Sequence, residues 1–279
     1  MDGERSRFAI RRRGYREVMD SPRADLPRLL IVSVAALLCL VGSMVGSGVF
    51  GGPKVADAAG GALAADATLI APGGPAFAIW SVIYAGLVVY AIWQWLPAQR
   101  TAERHRRIGY LVAASMVLNA AWLLVVRQDL LVLSVVVIVL LVVVLGLIVR
   151  LLAINRPTST ADLVIADGTF GLYVGWVSVA VCANITAVLV DSGVDLGDAG
   201  NQAAAIGVLA VAGIVGLLLA LRTHANLAIA AALGWGLAWI AVERTQGAPE
   251  SLATAVAAGV VAAVVVLGTL LLAVRHQPR

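Results

Sequence analysis

Charge is what this chain has least of. Only 13% of its 279 residues are charged, 61% are hydrophobic, and the mean hydropathy is +0.95. A soluble domain carries about a quarter charged residues, so this chain lacks the polar surface to face water on all sides. Apolar runs occupy 29–50, 75–96, 108–126, 130–149, 169–190, 203–221, 225–242 and 252–274, and none of these eight cores contains Asp, Glu, Lys, Arg or His. Each approaches the ~20 residues that cross a ~30 Å hydrocarbon core. The expected fold class is all-α and integral to the membrane, with about eight transmembrane helices. The seventh run is short for a span and has a re-entrant alternative, but its neighbours need it to cross for a consistent orientation.

The same absences exclude functions. Ion-coupled transporters and proton pumps place ionisable groups inside the membrane because the coupling needs them. His105, His224 and His276 fall outside the apolar cores, in loops or tails, which disfavours haem ligation by histidine or a zinc site. The two cysteines, Cys39 and Cys182, each lie in an apolar run without a CxxC partner and read as small buried hydrophobes. No phosphate-binding glycine loop, paired-carboxylate motif or nucleophile–base set stands out. No catalytic residue, metal site or cofactor is assigned, and the chain is not read as an enzyme. Asp162 and Asp167, just before the fifth run, read as solvated or cap-like.

What charge there is lies unevenly. The formal net charge is +4, and 17 of the 20 basic residues fall in the N-terminal arm and alternate loops. The other side receives only Lys54, Arg127 and Arg244. By the positive-inside rule both termini are expected in the cytoplasm, in a multi-pass protein of the cell membrane. Basic residues placed this way meet lipid head groups, and nucleic acid is not an expected partner. The first run is long, follows a long arm, and reads as a retained anchor rather than a cleaved signal peptide. The arm contains Met19, an alternative start, and residues 1–18 are assigned no function.

Three regions follow: a basic arm at 1–28, five spans at 29–190, and a three-span extension at 191–279. The Gly-, Ala- and Pro-rich stretch 51–74 is too long for a simple turn and is expected to lie as a lid over the mouth of the bundle. The loop 191–202, with Asp191, Asp195 and Asp198, separates the five spans from the three. No internal repeat is evident, which weakens an inverted-repeat transporter. Small residues four apart, as in Gly42/Gly46, Ser43/Ser47 and Ala212/Gly216, suit close helix approach. Packing within the chain is the expected use, with a homodimer seam as the alternative. Trp93 and Trp95 read as an interfacial aromatic belt.

Chemistry, where present, is aromatic and amide. Phe77, Trp80 and Tyr84 share a face of the second span, Asn119 and Trp122 a face of the third, and Trp176, Ala180 and Asn184 a face of the fifth. At ~1.5 Å per residue, Trp80, Asn119 and Asn184 lie roughly 8–10 Å from the same end, with Tyr84 roughly 13 Å and Trp176 roughly 21 Å in. Shared depth on three spans suggests a ligand pocket. Interhelical hydrogen bonding is the competing explanation for each residue taken singly.

These residues also carry a resemblance. Phe77-Ala78-Ile79-Trp80 with Tyr84, Leu118-Asn119-Ala120-Ala121-Trp122, and Tyr173-Val174-Gly175-Trp176 through Ala180 to Asn184 resemble the motifs of the TspO/translocator (tryptophan-rich sensory) family. The match runs over about 29–190, in the family's order and on the expected helices. It implies a five-helix TspO-like bundle with a pocket capped by the first external loop, followed here by three further helices. It implies a binding or sensory protein for a tetrapyrrole, sterol-like or other flat apolar ligand. In that reading the eight residues Phe77, Trp80, Tyr84, Asn119, Trp122, Trp176, Ala180 and Asn184 line the site. The 51–74 loop departs from the family in having no Trp. An uncoupled facilitator of a lipophilic solute, or a membrane scaffold without ligand, are the alternatives.

Overall fold

The computed structural model describes residues 25–46 and 55–275. Most of the basic arm, Ser47 and the rest of the expected end of the first span, and the start of the 51–74 loop lie outside the described residues. Among the described residues, eight helices are long and apolar enough to cross a membrane. They are α1 (Leu26–Gly46), α2 (Ile79–Trp93, entered through a 3₁₀ turn at Gly74–Ala78), α3 (Glu103–Arg127) and α4 (Leu131–Ile154). They continue as α5 (Thr169–Asp191), α6 (Gly197–Arg222), α7 (Leu227–Gln246) and α8 (Leu252–Arg275). No strand occurs among the described residues.

The outward faces explain why these helices need lipid. Leu37, Ile92, Val132, Leu218, Leu271 and Val274 are all at least half exposed, on five different helices. Water would not tolerate so continuous an apolar surface, whereas a helix in lipid satisfies its own backbone and can present leucine and valine outward. The chain is an all-α integral membrane protein.

The helices form one continuous series of contacts. α1 packs on α3, α3 on α4, α4 on α5, α5 on α7, α7 on α8 and α8 on α6, while α2 touches α1 and α5. Small residues make the tight crossings. A Cβ at Gly42 of α1 would lie 2.9 Å from Ala120 Cβ of α3, and one at Gly175 would lie 2.5 Å from the Ile229 carbonyl oxygen of α7. The Gly42/Gly46 pair faces α3, and Gly216 faces Val265 and Leu233, so these glycine faces are used within the chain. Two apolar clusters result, one centred on α1–α5 and one on α5–α8.

The helices run farther than hydropathy indicates, and this changes the reading of the ionisable residues. α1 takes in Arg28, α3 takes in Arg104 and His105, and α7 is a full 20-residue helix that takes in Glu243 and Arg244. The fifth span begins at Thr160 and includes Asp162 and Asp167. His105 is therefore a helical residue with no exposure, not a loop residue. Asp162 and Asp167 are buried rather than solvated. Arg104 pairs with Asp162 and, at 2.5 Å, with Asp167, while its Nε donates to the Asn155 carbonyl at 2.6 Å. Asp162 also accepts from the Thr158 amide at 3.2 Å, so its cap-like role is retained inside the ion pair. A π-helical stretch at Leu163–Gly168 precedes α5, and the Asp167 carbonyl accepts from Asn226 Nδ2 at 3.0 Å. Hydropathy marks where apolar residues stop, but a helix continues wherever its polar side chains find partners on neighbouring helices.

Trp93 is likewise buried, edge-on to His105 with ring centroids 4.9 Å apart, rather than facing lipid as in a belt. Trp95 is partly exposed and donates to Ser33 Oγ at 3.0 Å.

Candidate functional site

At the opposite end of the bundle from the arginine cluster, residues 55–76 run over the mouth formed by α2, α3, α4 and α5. Beneath this roof lies an inner cavity of about 50 Å³. Its floor and walls include Phe77 and Trp80 before and in α2, Asn119 and Trp122 of α3, and Trp176, Ala180 and Asn184 of α5. Seven of the eight residues singled out by sequence thus border one space. The eighth, Tyr84, lines an adjoining cleft of about 610 Å³ that shares Phe77, Trp80 and Trp122 with the inner cavity. The shared helical depth inferred from a straight rise per residue explains the convergence.

Trp80 is the centre of the aromatic wall. It stacks on Tyr84 at 5.2 Å and 17°, and meets Tyr173 and Trp176 edge-on at 5.8 and 6.3 Å. Phe77 meets Trp176 edge-on at 5.5 Å. Such offset and T-shaped contacts are the favoured aromatic geometries and hold the rings without locking them as a salt bridge would.

The two asparagines are already engaged. Asn119 Oδ1 accepts from Tyr84 Oη at 3.1 Å and from Cys39 Sγ at 3.4 Å, joining α1, α2 and α3. Asn184 Oδ1 accepts from Trp122 Nε1 at 2.7 Å, and its Nδ2 donates to Ser134 Oγ at 2.9 Å, joining α3, α4 and α5. Both amides therefore fasten helices and border the cavity at once. Two other polar atoms at the cavity have no partner among the described residues. Trp176 Nε1 and Thr68 Oγ1 are buried without a hydrogen bond, and both residues line the inner cavity. Buried donors are ordinarily satisfied, so these two stand out as places where an occupant can supply the missing partner.

The roof was only partly legible in sequence. The lid expected at 51–74 is seen over 55–74, and its lining side chains are Val55, Ala62, Leu63, Thr68, Ala71 and Pro72, with no aromatic among them. Ile138 and Leu141 of α4 also line the cavity. Nothing in their local pattern distinguishes them from other apolar residues of a span. The roof is tied down on two sides. The Ala59 amide donates to Asp129 Oδ1 at 2.6 Å in the turn between α3 and α4. On the other side α7 supplies Trp235, Trp239 and Arg244, which sequence inspection assigned no site role.

Comparison with known families decides the wider assignment: the family model described as TSPO-like protein matches residues 29–271. The chain belongs to the TSPO-like family. The match takes in all eight helices and is not confined to the 29–190 stretch that carries the motifs. No match was found among curated proteins or among solved structures.

Proposed function

We propose that this TSPO-like membrane protein binds a flat apolar ligand, a tetrapyrrole or a sterol-like lipophile, beneath the roof and acts as a binding or sensory protein rather than an enzyme. The observation that carries the reading is the pairing of an aromatic wall with two unpartnered buried polar atoms. Trp80, Trp122, Trp176 and Phe77 offer stacking area, and Trp176 Nε1 and Thr68 Oγ1 offer a hydrogen bond to a polar edge. Ligand sites are mostly apolar with a few placed polar groups, which is this composition. The cleft beside the cavity supplies room on the scale of a few hundred Å³ that such ligands need.

The orientation belongs to the same proposal. The basic residues fall mainly at the end away from the roof, which supports a roof on the external side and both termini in the cytoplasm. The test is a titration of detergent-purified protein with protoporphyrin IX, read by tryptophan fluorescence. Saturable quenching is expected, and its absence with both a tetrapyrrole and a sterol panel would favour a scaffold. A facilitator differs from a sensor in moving ligand across sealed vesicles, which the same purified protein can be assayed for.

A further inference from the structure

One of the three C-terminal helices, α7, has a specific relation to the roof. Arg244 of α7 is 1% exposed, yet its hydrogen-bond partners are neutral carbonyls. Nη1 donates to the Thr68 carbonyl at 2.9 Å and the Pro249 carbonyl at 3.2 Å, and Nη2 donates to the Ala65 carbonyl at 2.6 Å. Ala65 borders the cleft and Thr68 borders the inner cavity, so one guanidinium holds the roof where it covers both. Two more hydrogen bonds fasten the roof's far end to α7. Trp235 Nε1 donates to the Ala76 carbonyl at 2.9 Å, and the Gly73 amide donates to the Trp239 carbonyl at 3.4 Å. Between them Ile70 is 1% exposed, packed in the second apolar cluster with Val179, Leu237 and Ile240.

Burying a guanidinium is costly unless its donors are satisfied: both Arg244 Nη groups are, its Nε has no hydrogen bond among the described residues, and an apolar side chain of similar volume would serve packing alone at lower cost. Arg244 spends its charge on roof backbone, which an apolar residue cannot hold. The inner cavity of about 50 Å³ is far below the size of a flat ligand, so occupancy requires the roof or the rings below it to shift. We propose that α7 is a latch for the roof, and that Arg244 is the positioning residue that sets how readily the cavity opens. The ligand-access part of this rests on the binding function proposed above; the latch itself does not.

The experiment uses the full chain in detergent with Arg244→Met, Arg244→Lys and Trp235→Phe. Hydrogen exchange tests the latch without ligand, because roof amides such as Ala64, Ala67, Ala71 and Gly73 are hydrogen-bonded in the closed form. Arg244→Met is expected to speed exchange over 55–76 by about tenfold while peptides of α1, α3 and α4 keep wild-type protection, with Arg244→Lys intermediate. Stopped-flow quenching with protoporphyrin IX should then show association and dissociation rising together by about tenfold, with Kd held within about threefold. Unchanged roof exchange in Arg244→Met overturns the latch, and faster roof exchange with unchanged binding rates overturns its control of access. If Arg244→Met loosens every helix, Trp235→Phe decides, since it removes one bond and keeps a ring: faster exchange near Ala76 supports the latch and unchanged exchange there overturns it. Failure of protoporphyrin IX to quench the wild type counts against the binding function, and the exchange result still decides the latch.

Discussion

Trp122 Nε1 donates to Asn184 Oδ1 at 2.7 Å, and this bond joins α3 to α5 at the wall of the inner cavity. It makes one residue pair serve both the bundle and the site, so mutating either member tests two things that must be measured apart.

Asn184→Leu leaves the Trp122 indole donor buried without a partner and also releases Ser134. An unsatisfied buried donor costs about 1–3 kcal/mol, so a clear fall in the thermal midpoint is expected in detergent. Trp122→Phe should cost less, because Asn184 keeps Ser134 as a partner. A smaller loss for Asn184→Leu than for Trp122→Phe would mean the bond does not stabilise the bundle.

Trp176→Phe separates the site from the packing. It removes an indole N–H that has no partner among the described residues while keeping an aromatic ring against Trp80 and Phe77. Thermal stability should hold or rise slightly. If a ligand accepts from Nε1, affinity for protoporphyrin IX should fall by about 2- to 13-fold, the equivalent of roughly 0.5–1.5 kcal/mol. Trp95→Phe, at the other end of the bundle, is the control. Equal affinity in wild type and Trp176→Phe would remove this donor from the site.

Arg104→Met leaves Asp162 and Asp167 buried without their shared cation. Breaking one side of a buried ion pair typically costs about 3–5 kcal/mol, so the variant should be strongly destabilised or fail to accumulate. The triple change Arg104→Met, Asp162→Asn, Asp167→Asn should recover part of that loss. No recovery would show that Arg104 acts mainly through its bonds to the Asn155 and Leu152 carbonyls.

Acid should weaken the join between α1 and α3. Asp25 receives two hydrogen bonds from Arg106, at 2.9 and 2.7 Å, and lies 3.6 Å from Arg28. Burial pushes its carboxyl up, but the hydrogen bonds and charges of Arg106 and Arg28 outweigh this and hold it below the usual value. A depressed folded pKa gives stability that is present above the unfolded value of about 3.9 and is lost as pH falls through the folded one. Asp25→Asn should therefore be less stable than wild type at neutral pH, with the difference shrinking below about pH 4. A difference that stays constant as pH falls well below about 4 would show that the charge contributes nothing.

Reporter fusions check the orientation. Fusions after residues 102 and 155 should read cytoplasmic and fusions near 60 and 196 external, following the uneven basic residues. A cytoplasmic reading at 196 would contradict an odd number of spans before that loop.

Eight spans and the aromatic-amide constellation were legible in sequence because both depend on short-range pattern. Apolar length sets a span, and the 3.6-residue repeat puts Trp80 with Tyr84, or Trp176 with Asn184, on one face. Equal distance from a helix end was enough to place Trp80, Asn119 and Asn184 beside one cavity. What the local pattern could not contain was pairing across the chain. Arg104 meets Asp162 from 58 positions away, and Arg244 meets Ala65 from 179. In lipid each helix satisfies its own backbone, so its existence is settled locally, whereas a buried charge is tolerated only where packing brings it a partner. The sequence by itself determined the helices and their apolar faces. Only the tertiary structure decided which arginines were buried, which asparagine oxygens were already occupied, and that α7 holds the first loop over the bundle.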